Sequence, residues 1–364
     1  MSRPKTIASD DDPWPSETLR RGWSGLRGHD DRVAMFRRAA ARGRLAQAYL
    51  LEGPGGVGKR LFARLAAKSL FCPERSEADF DSCGDCPSCV RFAAGTHPDL
   101  VEVGLIEGKR QLVVEQFVGS KDQPGGLGLE LSRAPTEASR KVAIVDAADR
   151  MGVEAANAFL KTLEEPPDGV VIFLIAESAG GMLPTILSRC QRVRFPPLGG
   201  DDLAELIVGL GAADRDEASA IAAMSDGGLD SARALAGGDA RTLRDDLVRD
   251  LATFPPDVTA TAAHIMATID DVKEAQAKRE RLGRVTRFGS AFYREAIRAA
   301  AGGETSDPAA RRWAERVATR HDAVDVAGRC LERLQEFDGH VAANASLPLA
   351  VETLAADLAK LTPA

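Results

Sequence analysis

The chain has 364 residues, of which 44% are hydrophobic, 28% charged and only 5% aromatic, and its formal net charge is -7. That length accommodates two or three domains with a sizeable core, and the composition is that of a soluble, helix-favouring globular protein. The acidic balance argues against an autonomous, sequence-independent DNA binder, and no apolar stretch is long enough to span a bilayer.

Residues 1–18 are polar, with Asp10-Asp11-Asp12 and two prolines nearby, and read as a disordered leader. Met1 to Asp12 lacks a signal-peptide core, so a cytoplasmic location without membrane partners is expected. Val33, Phe36 and Ala40 mark a short helix. The apolar run Ala48-Tyr49-Leu50-Leu51 then reads as a buried strand.

Gly53, Gly58 and Lys59 follow that strand with the spacing G-x-x-x-x-G-K of a phosphate-cradling loop, and Gly55 and Gly56 lie inside it. Glycines let successive backbone N–H groups turn toward an anion, and the lysine reaches the outer phosphates. Leu61, Phe62, Leu65, Ala66 and Leu70 repeat as a helix does, so the positive end of a helix is expected behind the loop. The alternative is a glycine turn with no ligand. Arg60 stands where a phosphate loop has Ser or Thr to hold Mg²⁺, and an arginine cannot ligate a metal.

Cys72, Cys83, Cys86 and Cys89 are separated by ten, two and two residues. Four thiolates can close a tetrahedral shell around Zn²⁺, and the spacing points to a structural zinc module over 72–89. Cys190 and Cys330 are isolated and read as packing residues.

Leu100-Val101-Glu102-Val103 reads as a strand, Leu112 to Val118 as a helix and Lys121 to Gly128 as a glycine-rich loop. Lys141 to Asp146 is a second buried strand ending in an acid, and Val170 to Ala176 a third. Between them Val153 to Glu165 is an amphipathic helix stopped by Pro166-Pro167. Asp146 sits where a metal-dependent phosphate site keeps its carboxylate, or else it caps the following turn. Ala147 follows it, and a methyl group cannot orient an attacking water. Strands alternating with helices predict an α/β domain over 19–198, with a parallel sheet covered by helices on both faces. Beyond it only helical periods occur, in a small domain over 199–238 and a larger all-α domain over 239–364.

Read together, these segments resemble the bacterial DNA polymerase III clamp-loader subunits, members of the AAA+ class. The resemblance runs nearly continuously from about residue 23 to 238. It includes Gly43-Arg44-Leu45, the phosphate loop, the four-cysteine insertion, Val142 to Asp149, Asn157 to Pro167 and Leu183 to Cys190. A weaker match covers Asn344 to Glu352. It implies an AAA+ domain, a helical lid over 199–238 and a C-terminal oligomerisation domain over 239–364. Within the family the gamma/tau ATPases keep every part of the nucleotide site. The delta-prime branch resembles the same fold with its own site decayed and the Ser188-Arg189-Cys190 arginine kept.

This chain departs from the ATPase pattern at Arg60, at Ala147 and at Asp230, where the ATPases use an arginine to sense the γ-phosphate. The resemblance therefore implies a non-hydrolysing subunit that scaffolds the complex and offers Arg189 as a finger in trans. Its expected partners are gamma/tau-type and delta-type subunits and, through the complex, the sliding clamp and primed DNA. The degenerate nucleotide site would comprise Gly53, Gly55, Gly56, Gly58, Lys59 and Asp146. ATP bound without turnover, and without a need for Mg²⁺, stays open. The competing readings are an active gamma/tau-type ATPase and a stand-alone zinc-containing nucleic-acid-binding protein.

Overall fold

The structure is a computed structural model that describes residues 19, 22–106, 109, 111–119, 125–225, 227–305, 307–343 and 346–362. The expected leader 1–18, residues 121–124 of the expected loop, and Asn344 and Ala345 lie outside that set. The chain divides into two compact units, one ending at Asp202 and one starting at Leu203.

The first unit is built on five parallel strands: β1 (Ala48–Glu52), β2 (Leu100–Val103), β3 (Lys141–Val145), β4 (Val170–Ala176) and β5 (Gln191–Arg194). Their order is β2-β3-β4-β1-β5. The three inner strands, AYLLE, KVAIV and VVIFLIA, are buried at every position, as strands covered on both faces must be. Tyr49, Leu51, Val142, Ile144 and Phe173 face one layer with α1 (Asp30–Ala41) and α2 (Lys59–Phe71). Leu50, Ala143, Val145, Ile172 and Leu174 face the other, with α4 (Glu115–Val118), α5 (Leu127–Ser132) and α6 (Val153–Glu164). A short α3 (Pro87–Ala93) belongs to the cysteine segment, and α7 (Pro184–Leu187) precedes β5.

Three local expectations need correction. The helix expected over Leu112 to Val118 covers only its second half, because Leu112 forms an isolated parallel bridge to Met151 instead. The glycine-rich stretch ends in α5, which begins at Leu127. The edge strand β5 was not anticipated, since only Val193 of Gln-Arg-Val-Arg is buried.

The described residues of the second unit are helical: α8 (Gly200–Gly209, which crosses the division), α9 (Arg215–Met224), α10 (Leu229–Ala236), α11 (Gly238–Leu251), α12 (Val258–Ala267), α13 (Ala275–Ala300), α14 (Pro308–Ala318), α15 (Ala323–Ala342) and α16 (Leu347–Leu361). The long α13 packs on α14 and α15. Tyr293 and Trp313 meet edge-to-face there at 5.4 Å, both fully buried. Cys330 is fully buried in the same core, in keeping with a packing role. No helix among the described residues is long and apolar enough to cross a membrane.

Candidate functional site

The loop between β1 and α2 wraps as its glycines permit. Gly53 has φ +155°, and a Cβ there would lie 2.1 Å from the Phe195 carbonyl oxygen, so only glycine lets the chain after β5 approach. Gly58, at φ +100°, caps α2, and a side chain there would press on Leu26. Gly55 and Gly56 complete the turn, Gly56 also with positive φ. Lys59 is buried, and its Nζ donates to the carbonyls of Gly53 at 2.6 Å and Pro54 at 2.5 Å, so the ammonium closes back on its own loop. From the other side His29 braces the turn. It is fully buried and donates from Nε2 to the Val57 carbonyl at 2.7 Å. Burial lowers the imidazole pKa, which keeps the ring neutral with its proton on Nε2.

Arg60 supplies the cation of the site. Its Nε lies 3.9 Å from Glu102 Oε1, on β2, and 3.9 Å from Asp146 Oδ2, just past β3. One turn along α2, Arg64 grips Glu102 with a bidentate pair at 2.8 and 2.9 Å. Arg60, Glu102, Gly104, Leu105, Asp146 and Ala147 line a cavity of about 210 Å³. The guanidinium of Arg60 thus stands near both acids, Glu102 being held more closely by Arg64. Asp146 also accepts from the Ala147 amide at 2.9 Å, so it caps the turn as well as facing the cavity. Ala147 sits at φ +53° with only a methyl group to offer. Asp230 lies in the first turn of α10, in the second unit. Neither Glu102 nor Arg64 was singled out from sequence; the signal was a lone acid in an apolar strand facing a basic pair one helical turn apart.

Cys72, Cys83, Cys86 and Cys89 converge, with every Sγ within 4.8 Å of the others. The Cys72–Cys83 and Cys83–Cys89 separations are 3.6 and 4.0 Å. Zn–S bonds of about 2.3 Å give a tetrahedral edge of about 3.8 Å, so the donor set fits zinc. Amides of Cys83, Cys86 and Cys89 each donate to a preceding sulfur at 3.4 Å, which favours thiolates. Burial opposes ionisation of the Cys83 thiol, but N–H donors from Asp85 and Cys86 outweigh it and bring its pKa to about 7. The module is fastened to the domain. Ser88 Oγ donates to the Phe71 carbonyl and meets His97 Nε2 at 3.0 Å, and Arg140 holds Glu77 with two bonds of 2.8 Å. Trp23 stacks on Phe80 and donates to its carbonyl. No open coordination position is needed for such a role, and Asp79, Asp81 and Asp85 keep the loop acidic.

Arg189 lies apart from both groups, just after α7, with its side chain 34% exposed. It pairs with Glu164 at 2.8 Å. Sequence reasoning did not identify that partner.

The family described as DNA polymerase III, delta subunit matches residues 28–199. The chain is 39% identical over 166 residues to the delta-prime subunit of DNA polymerase III from Pseudomonas aeruginosa, covering 45% of this chain and 47% of that one. It is 40% identical over 158 residues to the Bacillus subtilis delta-prime subunit, covering 43% and 44%. The Escherichia coli tau subunit is 37% identical over 157 residues, covering 43% of this chain and 22% of tau. The match thus spans less than half the length of these relatives.

Proposed function

We infer that this chain, whose residues 28–199 match the DNA polymerase III delta-subunit family and resemble its delta-prime members, is a non-hydrolysing subunit of a clamp loader. In this reading it scaffolds a ring with gamma/tau-type and delta-type subunits. It takes part in opening the sliding clamp and placing it on primed DNA, and offers Arg189 to the nucleotide of an adjoining ATPase subunit. The division of the helical part into a lid over 199–238 and an oligomerisation domain over 239–364 belongs to the same proposal.

The observation that carries it is Arg60. Its guanidinium, 3.9 Å from Glu102 and from Asp146, puts positive charge where the family pattern seats Mg²⁺. Hydrolysis requires a seated metal, an oriented water and a γ-phosphate contact. Arg60 and Ala147 are unfavourable to the first two, and Asp230 stands in the sequence where the ATPases carry the arginine for the third. Lys59 and the glycines remain able to cradle a polyphosphate, with Arg60 supplying positive charge in place of Mg²⁺. Zinc, held by Cys72, Cys83, Cys86 and Cys89, would brace the module rather than take part in chemistry.

A guanidinium in trans neutralises charge developing on a transferring phosphoryl group, an effect on the order of 10³–10⁵ in rate. The test is reconstitution of the full chain with gamma/tau-type and delta-type subunits, clamp and primed DNA. Arg189→Ala should assemble normally yet strongly slow ATP turnover at the adjoining site, and clamp loading with it. Unchanged loading and single-site turnover would make Arg189 an ordinary surface charge. Robust Mg²⁺-dependent turnover by the isolated chain would favour the gamma/tau-type reading instead.

A further inference from the structure

An arginine carries five N–H donors in a planar fork, and the direction of that fork decides what it can contact. In Arg189, Nη1 donates to the Thr185 carbonyl at 2.9 Å and to Ser188 Oγ at 3.2 Å, and Nη2 donates to Glu164 Oε1 at 2.8 Å. Those contacts engage three of the five. The Nε–H and the second Nη2–H have no acceptor among the described residues. Thr185 and Ser188 belong to the same short segment as Arg189 and hold only Nη1, so they tie the fork to that exposed segment alone. Glu164 comes from a separate element, the last turn of α6, which is anchored by buried Phe159 and Leu163. Its bond to the other terminal nitrogen ties the fork to that helix.

We propose that Glu164 is a positioning residue for Arg189. It holds the guanidinium so that two N–H groups face away from this chain, toward the phosphate oxygens of a neighbouring subunit's nucleotide. The inference rests on the reading of Arg189 as a finger in trans. The pair adds little to folding, because both side chains are well exposed, at 34% and 50%. Its value is pre-organisation, since a misdirected donor loses most of its effect on a transition state. An acid beside a finger could act in the opposite sense, by competing with the phosphate for the guanidinium. The two actions give rate changes of opposite sign.

The experiment uses the full chain in the reconstituted complex with clamp and primed DNA, and measures single-turnover ATP hydrolysis, KM for ATP and assembly. Glu164→Ala should slow hydrolysis at the adjoining site about fivefold with unchanged KM and assembly. Glu164→Gln, which keeps the acceptor oxygen without the charge, should restore the rate. In an Arg189→Ala background, Glu164→Ala should have no further effect. If Arg189→Ala is slow but Glu164→Ala hydrolyses at the wild-type rate or faster, the positioning role is overturned and the finger stands. An additive loss in the double variant also overturns it. A wild-type rate for Arg189→Ala overturns both.

Discussion

Arg60 Nε lies 3.9 Å from Asp146 Oδ2, across the mouth of the sheet between α2 and β3. A cation built into the chain therefore faces the carboxylate just past β3. In the proposed reading the acid, the lysine and the glycines of a phosphate loop are kept, and Arg60 stands where the family pattern has the hydroxyl that ligates Mg²⁺.

The isolated chain should accordingly show no Mg²⁺-dependent ATP hydrolysis above background. Arg60→Thr alone should not restore it, because Ala147 still cannot orient a water. A phosphate-release assay on wild type, Arg60→Thr and Lys59→Ala decides the matter. Turnover in wild type that disappears in Lys59→Ala would contradict the expectation.

One zinc ion per chain should co-purify with protein kept from chelators. Its removal should loosen the module and lower the melting temperature, since the bound metal holds four buried or half-buried sulfurs together. Elemental analysis and thermal unfolding of wild type and of Cys86→Ser/Cys89→Ser check both points. Zinc retained by the double variant would refute the four-cysteine assignment.

Asp99 has no exposed surface and accepts from the amides of Thr136, Glu137 and Ala138 at 2.6, 2.8 and 2.8 Å. Burial works against its charge, but the three N–H donors outweigh it and hold the carboxyl below the usual range. Its contribution is present above the ordinary aspartate pKa and is lost as pH falls through the depressed one. Asp99→Asn should cost about 2–3 kcal/mol at neutral pH, because an amide presents donors to donors. Chemical denaturation at pH 7 and at a pH well below 3.8 should show the gap between the two proteins narrowing in acid.

His29 gives a second pH dependence, at higher pH. Its imidazole is buried and its pKa lowered, so the folded state resists the proton that the unfolded chain accepts below about 6.5. Stability should fall as pH drops through that value. Arg32 adds to the lowering, while Asp31, Asp202 and the Val57 carbonyl oppose it. His29→Gln keeps a donor for Val57 and should flatten the stability profile between pH 7 and 5. An unchanged profile would place the titration elsewhere.

Sequence alone was sufficient for β1, β3 and β4, because strands buried on both faces read as unbroken apolar runs. The glycine loop and the four cysteines were equally legible, since their chemistry lies in short-range spacing. β5 was not, because an edge strand buries one residue in four and carries no periodic signal. The partnerships at the site were also out of reach. Arg64 and Glu102 are 38 residues apart, Asp99 and Ala138 39, and Glu164 and Arg189 25. A sequence shows that Arg60 cannot bind Mg²⁺. Only the parallel order β2-β3-β4 brings Glu102 and Asp146 together beneath it, because neighbouring strands align residues whose separation in the chain is set by the crossover between them.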